Sequence, residues 1–181
     1  MRMVAMTFLS ILLLQFGFAY GAAEEQKPSE KWGVEISIDS LKISNPIITK
    51  DLVRAIYWHE SRWQQCDDHG KAYSCREKDR RYRSWGIAQI YDDPRCRYPG
   101  IDYHRIKTDP VYNVRAGLKI LEEKFNQVNH IRHKFKISKS KSDIEIGLSL
   151  YNGWREKNRW EYAARVLEVM RQKPWEADDG N

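Results

Sequence analysis

Glu60 stands where a carboxyl group could do chemistry. Trp58, His59 and Trp63 flank it in an otherwise apolar and aromatic stretch. A carboxyl partly withdrawn from water there favours its neutral form, and a neutral carboxylic acid near pH 7 is the species that protonates a leaving oxygen. Helix position alone favours an ordinary surface glutamate on the last turn of a helix. His59 does not pair with Glu60, because adjacent helical residues point about 100° apart; it packs or caps locally. A second carboxylate would have to come from Asp67, Asp68, Asp92 or Asp93, all of which read as solvated turn residues. No Ser-His-Asp arrangement, phosphate-cradling glycine loop or metal-ligand cluster stands out, so neither cofactor nor metal is expected.

The elements that must hold Glu60 are mostly helical. A helix is expected from Thr49, a good N-cap, to about Trp63, with Ile48, Leu52, Ala55, Ile56 and His59 on one face. Residues 66–83 lose apolar periodicity and become densely basic, so they read as an exposed loop or irregular hairpin. Turn signals follow at Asp93-Pro94 and Pro99-Gly100. Asp109 and Pro110 open a helix with Val111, Val114, Leu118, Leu121, Phe125 and Val128 as its buried stripe. A basic connection over 130–141 leads to a capping box at Ser142-Asp143-Ile144-Glu145 and a short apolar helix ending near Tyr151-Asn152-Gly153. The last helix, about 157–172, is expected to turn Trp160, Ala164, Leu167 and Met170 inward. Before this domain, Val34, Ile36 and Ile38 alternate with polar residues and read as an extended segment.

With the elements placed, the chain resembles the lytic transglycosylase family and, more distantly, goose-type lysozymes. The motifs that carry the resemblance are Glu60-Ser61 at the end of an apolar helix, Gly86-Ile87-Ala88-Gln89, Asn113-Val114-Arg115-Ala116-Gly117 after Asp109-Pro110, and Tyr151-Asn152. The stretch 162–166 is similar to the family's closing segment. Each motif is weak alone; together, in order, they span about residues 46–170. The chain departs from the family pattern at Ile87, Ala88 and Leu150 and in the charged 66–83 loop. The resemblance implies a lysozyme-like α+β fold, predominantly α-helical, in a single domain. It implies Glu60 as catalytic acid, with Ser61, Gly86 (through nearby main-chain amides), Gln89, Tyr151 and Asn152 as substrate-binding residues. Tyr151 is expected to hydrogen-bond the Glu60 carboxyl. The implied reaction cleaves the bond between N-acetylmuramic acid and N-acetylglucosamine in peptidoglycan and closes a 1,6-anhydro ring. A muramidase that uses water and a wall-binding or assembly module without activity are the alternatives.

Length and composition agree with one exported domain. The chain has 181 residues, 41% of them hydrophobic and 31% charged, with 7 tryptophans and 10 tyrosines. That is enough for one core with a polar surface and for aromatic rims that suit sugar rings. Arg2 precedes an uncharged run over 4–20 and small residues at Ala19, Gly21, Ala22 and Ala23, which reads as a secretory signal over 1–23, with an uncleaved membrane anchor as the alternative. Residues 24–45 then read as linker and extended segment, 46–172 as the catalytic domain, and 173–181 as a frayed acidic tail. No later stretch is apolar enough to span a bilayer. The expected location is therefore the periplasm or cell envelope, where a net charge of +6 favours an anionic polymer over nucleic acid. The expected partners are peptidoglycan glycan strands and, by resemblance to small members of the family, a cell-envelope secretion or assembly machine; general wall turnover fits equally. Cys66, Cys75 and Cys96 allow one internal disulfide, with Cys66–Cys75 the pair closest in sequence.

Overall fold

The structure is a computed structural model and describes residues 28–66, 71–72, 74–76, 83–153 and 158–177. The expected signal over 1–23, Asp67, Asp68 and the last residues of the tail lie outside them. The described chain is predominantly α-helical, with a small antiparallel sheet: helices α1 (Pro28–Asp39), α2 (Lys50–Ser61), α3 (Arg105–Thr108), α4 (Pro110–Asn126), α5 (Val128–Lys134), α6 (Asp143–Tyr151) and α7 (Arg159–Gln172), and strands β1 (Ser74–Arg76), β2 (Arg83–Trp85) and β3 (Ile90–Tyr91).

Three helices begin where local chemistry says they should. Thr49 Oγ1 accepts from Leu52 N at 3.1 Å to open α2, and Asp109 Oδ1 accepts from Tyr112 N at 2.9 Å to open α4, with Pro110 in its first turn. Ser142 and Glu145 form a reciprocal capping box at the start of α6. Each cap gives a partner to amide groups that have none within the helix. The helices α2, α4, α6 and α7 then enclose the core, α7 packing on both α2 and α6, and α4 on α6. The sheet is a meander in the order β1-β2-β3. Ser74 faces Trp85 across the first pair, and Trp85 faces Ile90 across the second. Only β1 and the first residue of β2 lie within the 66–83 stretch expected to be a loop or irregular hairpin; the rest of the sheet follows it.

The N-terminal segment differs from its expected extended form: Pro28–Asp39 is a helix. Val34, Ser37, Ile38 and Leu41 are buried, while Ile36 is 64% exposed. A strand would have put Ile36 on the same face as Val34 and Ile38; the helical spacing of three and four turns it outward. The basic connection over 130–141 likewise begins as helix α5. In α4, Val111 points out of the buried stripe at 39% exposure, and Val128 belongs to α5. In α7 the fully buried residues are Tyr162, Ala163 and Val166, while Trp160, Leu167 and Met170 are partly buried against the hydrophobic clusters as expected and Ala164 is exposed. The buried face is broader than expected because α7 packs on both α2 and α6.

The tail is not frayed throughout. Trp175 is buried and stacks on Trp63 with centroids 6.0 Å apart. Trp63 meets Trp58 edge-on at 5.4 Å and donates its indole N–H to Arg54 O. The chain after α7 therefore closes the core behind α2. No helix among the described residues is long and apolar enough to cross a membrane. The side chain of Cys75 lies outside the described residues, and with it the Cys66–Cys75 pairing.

Removing the Trp175 ring should leave a cavity against Trp63. Trp175→Ala is expected to lower the unfolding free energy by about 3–5 kcal/mol in urea titrations. Glu176→Ala, at an exposed ion pair with Lys173, should change it by less than about 1 kcal/mol.

Candidate functional site

The site is organised by a turn. Residues 86–89 join β2 to β3, and Gln89 N donates back to Gly86 O at 3.1 Å. Gly86, Ile87 and Ala88 are buried. Peptide groups in so tight a turn, removed from water and without a sheet neighbour, need side-chain partners. Four side chains supply them. Ser61 Oγ, at the end of α2, donates to Ile87 O at 2.8 Å. Gln65 Oε1 accepts from Ile87 N at 3.3 Å. Asn113 Oδ1, in the first turn of α4, accepts from Ala88 N at 2.8 Å, while its Nδ2 donates to Trp85 O at 3.0 Å and Ile106 O at 2.8 Å. Tyr151 Oη, at the end of α6, donates to Ala88 O at 2.9 Å. Gln89 Nε2 adds a bond to Gly86 O at 2.7 Å.

Two glycines make this packing possible. Gly86 has φ +71, and a Cβ there would fall 2.2 Å from Asn113 Nδ2. A Cβ on Gly117, one turn after Asn113, would fall 2.4 Å from the Ala88 methyl and 2.6 Å from Tyr57 Oη. Tyr57, buried, donates to Val114 O at 2.8 Å and so ties α2 to α4. Its burial pushes the phenol far above its ordinary pKa.

Glu60 is half-buried beside this turn, at the end of α2. Its Oε1 accepts a hydrogen bond from Tyr162 Oη at 2.5 Å, a short, charge-assisted geometry when the carboxyl is ionised. Tyr162 is buried on α7, so the α2–α7 packing sets the position of the carboxyl. Burial above all, and then the Glu60 charge, raise the Tyr162 phenol well above its ordinary value. It therefore stays a donor across the working pH range. His59 lies edge-on to the Tyr162 ring at 5.3 Å. Burial, and then the charges of Arg165 and Arg62, lower the His59 pKa and favour the neutral ring.

Just after Glu60-Ser61 the backbone turns left-handed at Arg62 (φ 56) and Trp63 (φ 64), and Gln89 does the same at φ 46. Non-glycine residues in this region cost on the order of 1 kcal/mol each and persist where surrounding packing fixes them. Here the reversal turns Trp63 into the core and brings Gln65 beneath the turn, where its Nε2 reaches Ile106 O at 3.0 Å.

The expected site residues thus come together, but several hold the turn instead of facing a ligand. Ser61 is 2% exposed, and its hydroxyl is bonded inward. Tyr151 has one phenolic proton and gives it to Ala88 O; the phenol on Glu60 is Tyr162. The amides of 87, 88 and 89 are already bonded, so they do not form the ligand-binding amides expected near Gly86. Gln89 is half-buried, and its Nε2 is turned to Gly86 O. Asn152, half-buried, follows α6, and its side-chain amide makes no hydrogen bond among the described residues. Tyr162, Gln65 and the buried polar role of Asn113 are the residues that sequence reasoning missed. Tyr162 was legible only as a member of the closing segment, since no short-range pattern links it to Glu60.

Asp92 and Asp93 are not solvated turn residues. Asp92 accepts from Arg97 at 2.6 Å and from Lys107 at 2.8 Å. Burial raises its pKa, but the hydrogen bonds from Lys107 and Arg97 outweigh this and hold it below the ordinary value. Asp93, 4% exposed, is paired with Arg95 at 2.6 Å. An open depression of about 500 Å³, lined in part by Arg97, Tyr98, Tyr103 and Lys107, lies over this segment; Glu60 is not among its lining residues. Among the described residues no group of three or more His, Cys, Asp or Glu side chains is placed to hold a metal ion.

No protein-family description, no curated protein and no solved structure matches the chain.

Asn113→Ala would strip the partner from the buried Ala88 N. At about 1–3 kcal/mol for a buried orphan group, chemical denaturation should show a loss of roughly that size. An undiminished midpoint would mean that the turn does not depend on Asn113.

Proposed function

We propose that the chain is an exported peptidoglycan lytic transglycosylase with a lysozyme-like fold, in which Glu60 acts as acid and then as base. The observation that carries the reading is the Glu60 carboxyl, half-buried at the end of α2 and held by the buried phenol of Tyr162. Fixing one carboxyl by a donor that keeps its proton defines where a proton can be delivered, and positioning of this kind supplies much of an enzyme's advantage.

In the proposed reaction the Glu60 proton passes to the glycosidic oxygen as its bond to C1 of N-acetylmuramic acid breaks. The Glu60 carboxylate then takes the proton of the C6 hydroxyl as that oxygen bonds to C1. The carboxyl ends protonated, the product carries a 1,6-anhydro ring, and no water is consumed. Ordinary glycosidases use two carboxyl groups. Asp92 and Asp93, committed to Arg97, Lys107 and Arg95, are poor candidates to activate a water, and this favours the single-carboxyl route over hydrolysis. Tyr162 is a positioning residue in this scheme, and Ser61, Asn113 and Tyr151 act through the turn. Gln89 and Asn152 are the residues left to meet the sugar. The signal-like 1–23 segment supports a location in the periplasm or cell envelope. The basic surface would hold the domain near an anionic wall.

Glu60→Gln should lower the release of soluble fragments from purified sacculi by at least about a thousandfold, with an unchanged circular dichroism spectrum. Tyr162→Phe should lower kcat by roughly tenfold to a hundredfold and shift its pH profile. Undiminished lysis by folded Glu60→Gln protein would refute the assignment.

A further inference from the structure

The end of helix α5 and the loop after it form a basic tip that the proposed reaction does not use. From Gln127 to Ser142 the chain contains no Asp or Glu, while it carries Arg132, Lys134, Lys136, Lys139 and Lys141. Arg132 and Lys141 have inward duties. Arg132 bonds Asp143 Oδ1 at 2.6 Å, Lys141 O at 2.7 Å and Ser138 O at 3.2 Å, and Lys141 pairs with Glu145 at 2.8 Å. The two nearest carboxylates are thereby occupied. Lys134, Lys136 and Lys139 are exposed and make no ion pair among the described residues.

Phe135 stands in the middle of these lysines. It is the C-cap of α5 and is 48% exposed, the one aromatic residue among the exposed large hydrophobics described. The loop holds it there by several bonds. Lys136 takes a left-handed φ of 49, Ile137 N donates to Arg132 O at 3.1 Å, and Lys141 N donates to Ser138 O at 3.1 Å. Ile131 and Ile137 pack beneath, on the cluster of Val128, Ile146 and Leu150. A half-exposed aromatic ring in a hydrogen-bonded loop, with Lys134 5.7 Å from its centroid and in a stretch that carries cations and no acids, has the composition of an interfacial membrane contact. A binding site for a soluble polyanion would need the charge but not the ring.

The position of the tip fits this. It adjoins the N-terminal end of α6, and Tyr151 closes the other end, so the tip and the Glu60 site are separated along α6 by its nine residues, about 13 Å. From these observations we infer that the tip seats the protein on an anionic lipid bilayer, with Phe135 entering the headgroup region and Lys134, Lys136 and Lys139 contacting lipid phosphates. The contact does not depend on the enzymatic reading.

The test is co-sedimentation of the chain from residue 24 onward, which keeps every described residue and omits the apolar 4–20 run, with vesicles of zwitterionic lipid alone or mixed with anionic lipid. Binding is expected only to the anionic vesicles and should weaken as salt rises. Phe135→Ser should weaken it roughly tenfold. Reversing Lys134, Lys136 and Lys139 to Glu should weaken it by on the order of a hundredfold or more, at about fivefold per lysine neutralised. Urea midpoints of both variants should match the parent, since all four side chains are exposed. Failure of the parent to bind anionic vesicles, equal binding to purely zwitterionic ones, or unchanged binding by either variant would overturn the inference. So would equal affinity for soluble polyphosphate with Phe135→Ser indistinguishable from the parent on vesicles, which would make the tip a polyanion site.

Discussion

A turn sealed inside a protein cannot leave its peptide groups without partners, and much of this structure follows from how residues 86–89 find theirs. The four residues make one hydrogen bond among their own backbone groups. Beyond a bond from the Gln89 side chain, the turn's partners are Ser61 on α2, Gln65 just after it, Asn113 on α4 and Tyr151 on α6. Each bond fixes a helix end to the same short segment. The three helices are thus registered against one another through polar contacts that tolerate little displacement, while the apolar core beneath supplies most of the burial energy. Gly86 and Gly117 are glycines because the turn and α4 approach too closely for a side chain at either position.

Glu60 inherits its position from that arrangement. It is the neighbour of Ser61, so the bond that anchors α2 to the turn also fixes where the carboxyl emerges. From the other side α7 delivers Tyr162, and the backbone reverses at Arg62 and Trp63 just after Glu60. The rings of Trp58, Trp63 and Trp175, packed in series, brace the back of the same helix end. A carboxyl group is therefore held by two elements far apart in sequence.

The parts of this that the sequence announces are the short-range ones. Thr49, Asp109-Pro110 and Ser142–Glu145 cap helices through bonds spanning three residues, and a cap is visible wherever such residues precede an apolar stripe. The parts that escape it depend on partners remote in the chain. Val34 and Ile38 satisfy a spacing of two and of four at once, so only the outward Ile36 separates helix from strand, and a single residue was too little to decide it. Trp175 lies in a polar tail that reads as loose until Trp63 is beside it. Ser61, Gly86 and Tyr151 gather at one turn, but the Ser61 and Tyr151 hydroxyls are bonded to its carbonyls instead of facing a ligand. A hydroxyl that supports a turn and one that meets a ligand look alike in sequence, and only burial and bond direction tell them apart.

The central claim is that one carboxyl, steadied by one phenol, breaks a glycosidic bond and closes a ring without water. The most direct test is the mass of the fragments that the unaltered protein releases from purified sacculi. The account predicts muramic acid ends in the 1,6-anhydro form from the earliest time points. Ends that are one water heavier, or no fragments at all, would contradict it.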